Sequence, residues 1–187
     1  MISKEEVRSK LMKASIRGRA KAPEVHFHLE EAYTCLENEL YIASCLCSIT
    51  FIDISMRYLY AALENVEGDN SGQWKTIDLT VKPKISDNTY MDRGMLKRLR
   101  DRGVDISPLA LEGLPDLNKI LDIDKGKPKI RCLRDDLCHG NVANYFERTP
   151  EGEVFHPELM KQQAHELYSA ANAWLNEFQK CKEALGY

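Results

Sequence analysis

Arg134-Asp135-Asp136-Leu137-Cys138-His139 sets a guanidinium, a carboxylate and an imidazole within one short stretch, and nothing else in the chain offers comparable chemistry. Arginine is charged at every accessible pH and suits phosphate oxygens. Histidine exchanges a proton near neutrality, and a carboxylate four residues before it on a helix can orient it. Together these groups suit acid–base and electrostatic work on a phosphate ester. The elements around the stretch must therefore hold it on a helix with one face free.

That helix is expected over about Lys129–Arg148. Viewed down its axis at 3.6 residues per turn, Ile130, Leu133 and Leu137 fall on one side of Arg134 and form a core stripe. Cys138, Asp135 and His139 fall on the other side of Arg134. If the helix continues past Gly140, then Tyr145, Val142 and Phe146 land on that same charged side. It would then also pack on something, a further helix or a second copy of the chain. Arg131, Asn141 and Tyr145 are candidate substrate-binding residues on this helix.

At 187 residues the chain has the length of a single ordinary domain, 1–187, able to bury a core without staples. Its formal charge of -3 and pI near 6.0 argue against nucleic-acid or membrane binding through bulk charge. Basic surface is local instead. Residues 1–23 form a basic arm, with Lys4, Arg8, Lys10, Lys13, Arg17, Arg19 and Lys21 against Glu5 and Glu6, and a second basic run spans 92–102. Each is expected to be either a solvated helix face or a contact for phosphates. There is no apolar leader at Met1, and the longest uncharged run, Leu40–Ile52, is too short to span a bilayer. Six cysteines without a secretory signal read as reduced thiols, so a cytoplasmic compartment with no membrane association is expected.

Taken in order, Ser3 and Glu6 make a capping box for a first helix that carries Val7, Leu11, Met12 and Ile16 and closes near Gly18 and Pro23. From Phe27 to Leu63 apolar residues recur every three or four positions without Pro or Gly, which predicts one long helix or a nearly collinear pair. Residues 67–88 read as a long connection with a short strand or hairpin near Trp74–Lys82. A helix over Tyr90–Gly103 ends at Gly103, and a brief one is expected at Asp116–Leu121. A turn over Thr149–His156 leads to a last helix with Pro157 in its first turn and a stripe from Met160 to Leu185. The sum is an all-α helical bundle.

No phosphate-binding Gly-rich loop, nucleophile elbow or His-Glu-x-x-His motif occurs. A metal reading would recruit Cys132, Cys138 and His139, but there is no Cys-x2-Cys pair, so neither metal nor cofactor is expected. Cys35, Cys45, Cys47 and Cys181 read as packing thiols. His26 and His28 precede the long helix and could cap it or bind phosphate, with capping or mere exposure favoured, while His156 and His165 read as ordinary turn and helix residues.

Arg134-x4-His139, with a polar residue directly after the Arg and Gly140 after the His, on a late helix of an all-α chain, resembles the HEPN family. The stretch Glu39–Tyr60 is similar to that family's long early helix, with Asp53 where a Glu often stands. The resemblance covers about residues 27–185. It implies a metal-independent endoribonuclease acting on RNA as a homodimer through the motif helix. His139 would move the proton of a ribose 2′-hydroxyl, Arg134 would stabilise the phosphate, and Asp135 would orient one of them. It further implies a toxin or antiviral-defence effector with an antitoxin or defence-system partner; the alternative is a non-catalytic module that binds RNA, nucleotide or protein. Asn141 stands where one subset of the family has the Tyr used for regulation, so that control is not carried over.

Overall fold

Apolar side chains at three- and four-residue spacing can be buried together only if the helices that carry them lie side by side. In the computed structural model they do. The structure describes residues 4–64, 66–68, 74–76, 93–111, 129–141, 146–149, 152–155 and 157–186. The helices are α1 (Lys4–Ala20), α2 (Pro23–Glu37), α3 (Tyr41–Glu64), α4 (Arg93–Asp101), α5 (Lys129–His139) and α6 (Lys161–Ala184). Two short antiparallel hairpins accompany them: β1 (Val66–Gly68) with β2 (Trp74–Thr76), and β3 (Phe146–Thr149) with β4 (Gly152–Phe155). The first lies at the start of the connection expected to hold a strand or hairpin. The second replaces the end of the expected motif helix and the turn after it, but the architecture is that of a helical bundle. The brief helix expected at 116–121 lies outside the described residues, as does Ser3.

The central member is α3, which packs against α2, α4, α5 and α6. By length and composition it could cross a bilayer, yet Cys45, Ile49, Phe51, Ile52, Met56 and Leu59 are all buried in the bundle. Trp174 and Phe178 of α6 meet them, and both are fully buried. Deep in this core the Trp174 indole Nε1 donates to Ser55 Oγ at 2.7 Å, and Ser55 in turn donates to the Phe51 carbonyl at 2.7 Å.

The early helix is neither single nor a collinear pair. Residues 38–40 fold α3 back antiparallel on α2, and Ser44 Oγ donates across the pair to the Ala32 carbonyl at 2.9 Å. Leu40 N–H reaches the Cys35 carbonyl at 2.8 Å and Glu39 N–H the Leu36 carbonyl at 3.1 Å, the bonding pattern of a Schellman turn. Its left-handed position is normally glycine, but here it is Glu39 at φ 58°. No Pro or Gly marks the break, which is why the periodicity runs straight through it. A left-handed non-glycine residue is strained by roughly 1 kcal/mol. Glu39→Gly is therefore expected to stabilise the fold by about 0.5–1 kcal/mol, read as a raised urea midpoint with unchanged m-value.

Helix α1 runs through Gly18 to Ala20, and its last two turns belong to the bundle. Ile16 and Ala20 are fully buried. Arg17 makes a two-pronged ion pair with Glu30 (2.7 and 2.6 Å), and Arg19 donates to Asn172 and Asn176 (2.7 and 2.8 Å). The buried ammonium of Lys182 caps the helix by donating to the Ala20 and Lys21 carbonyls at 3.2 and 3.4 Å. In the second basic run, Met95, Leu96 and Leu99 of α4 face the core. Arg98 lies 4.9 Å over the Tyr60 ring, and Arg102 donates to the Leu63 carbonyl at 2.9 Å. Gly103, left-handed at φ 80°, ends α4 as the sequence predicts.

Burial pushes the Cys45 and Cys181 thiols and the Tyr168 hydroxyl up to about 12. Each is uncharged when protonated, so the fold holds the proton more tightly than the unfolded chain, where these groups ionise at roughly pH 8.5–10. Their contribution is therefore complete below about pH 8.5 and is lost progressively as pH rises toward 12. Urea unfolding across alkaline pH is expected to show that decline, and Cys45→Ala to reduce its slope by at most about 1.4 kcal/mol per pH unit.

Candidate active site

The motif helix α5 is held to the bundle by the stripe expected for it. Ile130 and Leu133 are buried, Leu137 is half-buried against the same core, and the helix packs on α3. The helix stops at His139, well short of Arg148. Gly140, left-handed at φ 71°, lets Asn141 N–H turn back to the Asp136 carbonyl at 2.8 Å, closing the end. A side chain at 140 would meet no atom, so it is the backbone conformation that asks for glycine.

This ending corrects the reading of the charged side. The helix does not carry Phe146, which belongs to strand β3, and Tyr145 and Val142 lie outside the described residues. Asn141 is exposed and its amide is part of the cap. Arg131 is on α5, but its side chain lies outside what is described.

Within the motif, Asp135 pairs with its neighbour Arg134, not with the imidazole four residues on. Arg134 Nη2 and Nε reach Asp135 Oδ1 at 2.8 and 3.3 Å, with both side chains about three-quarters buried (24% and 23% exposed). His139 is exposed at the last turn of the helix. Five residues separate it from Arg134, about 7.5 Å along the axis and about 140° around it. One α5 therefore presents the two groups on different sides. On the helix beneath, Asp53 and Arg57 form an ion pair with both side chains mostly buried (13% and 20% exposed). Asp53, the residue at the resemblance's acidic position, is thus neutralised on its own helix.

Among the described residues, no group of three or more His, Cys, Asp or Glu is placed to hold a metal ion. His26 is half-buried 3.6 Å from Glu30, which links it to the Arg17 pair and not to a cap, and burial holds the His28 imidazole below its ordinary range. Cys132 and Cys138 are exposed on α5, whereas Cys45 and Cys181 are buried. Ellman's reagent on the native protein is expected to modify Cys132 and Cys138 first and to reach Cys45 and Cys181 only in denaturant, as peptide mass spectrometry would show.

What sequence periodicity misassigned is the outer half of α1. It gave the first helix four apolar residues, Val7, Leu11, Met12 and Ile16, of which Val7 and Leu11 are exposed. The basic residues interleaved with them are the signal that the stripe splits. No protein-family model, no curated protein and no solved structure matches the chain.

Proposed function

We propose that the chain is a metal-independent endoribonuclease of the HEPN type, working as a homodimer in which Arg134 of one copy and His139 of the other share an RNA phosphate. What supports this reading is one observation: an Arg and a His on a helix whose opposite face is anchored in the core, with the imidazole exposed and the guanidinium partly so. In the reaction His139 accepts the proton of a ribose 2′-hydroxyl as its oxygen attacks the adjacent phosphorus. The P–O5′ bond breaks, leaving a 2′,3′-cyclic phosphate and, once protonated, a 5′-hydroxyl. Arg134 stabilises the negative charge gathering on the non-bridging oxygens. Asp135 keeps the guanidinium in place. The role in a cell would be that of a toxin or antiviral-defence effector.

A second reading is favoured by the Arg134–Asp135 pair itself. A guanidinium already bonded at 2.8 Å to a carboxylate must give up or share that bond to meet a phosphate, which suits a non-catalytic module with a structural ion pair. Incubation of total RNA and tRNA with the protein in EDTA, followed by end-group analysis, separates the two. Cyclic-phosphate ends are expected. Intact RNA would reject the nuclease in favour of the binding module.

A further inference from the structure

The outer half of α1 holds an apolar pair in water. Leu11 is 66% exposed and Val7 45%, and being four residues apart they share one face of the helix. With Lys4, Arg8, Met12 and Ser15 they line a shallow groove of about 430 Å³. Met12 also packs on the core, so the floor of the groove is fixed to the bundle while its outer wall is solvent. Ile16, Arg17, Arg19 and Ala20 dock the other half of α1 on the bundle.

We propose that this groove binds an amphipathic helix of a partner protein, one that presents apolar side chains along one face and Asp or Glu beside them. Aliphatic side chains at i and i+4 are the anchors that a helix-in-groove contact uses. Among the described residues that line the groove, Lys4 and Arg8 carry charge and none is a carboxylate, whereas Lys10 beside it is paired with Glu6 at 2.8 Å. A partner with acidic flanks complements Lys4 and Arg8. Two half-exposed aliphatic side chains are a small area for holding a bilayer, and nucleic acid makes no use of a Val–Leu pair where phosphate contacts dominate. The inference is independent of the nuclease reading, since it concerns a different helix.

The test uses the full chain and fluorescein-labelled synthetic peptides: one with Leu at i, i+3, i+4 and i+7 among Glu and Ala, and one with Lys in place of Glu. Fluorescence anisotropy is expected to show binding of the Glu peptide that weakens with added NaCl, and little binding of the Lys peptide. Leu11→Glu is expected to weaken the Glu peptide by about tenfold or more without moving the thermal midpoint, because the side chain is exposed. Reversal of the rim charges in Lys4→Glu/Arg8→Glu is expected to transfer the preference to the Lys peptide. Equal binding of the two peptides would overturn the proposal, as would an unaffected Leu11→Glu variant. Preferential binding to phosphatidylglycerol vesicles or to single-stranded RNA, or loss of self-association in Leu11→Glu by sedimentation, would assign the groove to a different occupant and overturn it too.

Discussion

His139→Ala is expected to lose RNA cleavage by roughly 10²–10⁴-fold, the usual contribution of a positioned general base, while its melting temperature stays within a degree or two of wild type. The two readouts diverge because the imidazole is exposed at the end of α5 and, among the described residues, makes no hydrogen bond or ion pair. Removing it costs no packing. Arg134→Ala is expected to abolish cleavage as well, but with a modest loss of stability, since it removes the 2.8 Å pair between two side chains that are each about three-quarters buried. Geometry adds a sharper expectation. With the two groups about 140° apart on one helix, a shared phosphate calls for one of them from each copy. Mixing the two inactive variants under conditions that exchange subunits is then expected to restore part of the activity, because a mixed dimer contains one cleft with both groups. Failure of every mixture, when each variant folds and self-associates, would argue that the two residues act from the same chain or not at all.

The largest expected loss of stability lies between α6 and α3. Trp174→Ala is expected to cost about 3–5 kcal/mol, or roughly 6–20 °C in melting temperature for a chain of this size. The indole is fully buried between α6 and α3, so its removal both forfeits apolar burial and leaves a cavity in a close-packed core. The polar part can be separated from the apolar part. Ser55→Ala removes the acceptor of the Trp174 Nε1 bond and strands a buried donor, at about 1–3 kcal/mol. Trp174→Phe removes the donor, after which Ser55 keeps its own bonds to the Phe51 and Ile52 carbonyls at 2.7 and 3.0 Å. The Trp174→Phe/Ser55→Ala double variant is therefore expected to lose less than the sum of the single changes in thermal or urea unfolding. Strict additivity would mean the bond carries no stability.

The helices of this chain were legible wherever one periodic stripe met an end signal. Gly103 stops α4 and Pro157 opens the approach to α6, and the stripe Ile130, Leu133 and Leu137 of α5 faces the core as its spacing requires. The motif was legible too, as residue types at a spacing. Three things were not. The α2–α3 reversal is made by Glu39 in a conformation that residue types do not announce. Gly140 looked like a feature of the motif, yet it is the cap that ends α5. Val7 and Leu11 repeat at core spacing on a helix whose core-facing side is only half used.

The division has a physical reason. Amphipathic periodicity and the turn residues act within a few positions of chain, so the sequence by itself determined that this is a helical protein, which faces of α4, α5 and α6 are apolar, and that an Arg, an Asp and a His share one short helix. Which way consecutive helices fold, whether Asp135 meets Arg134 or His139, and which apolar residues are left in water depend on contacts between residues far apart in the chain and on rotamers chosen among competing partners. Those were decided only by the packing of α2, α5 and α6 around α3, and α1, half inside and half outside that packing, is where the difference is plainest.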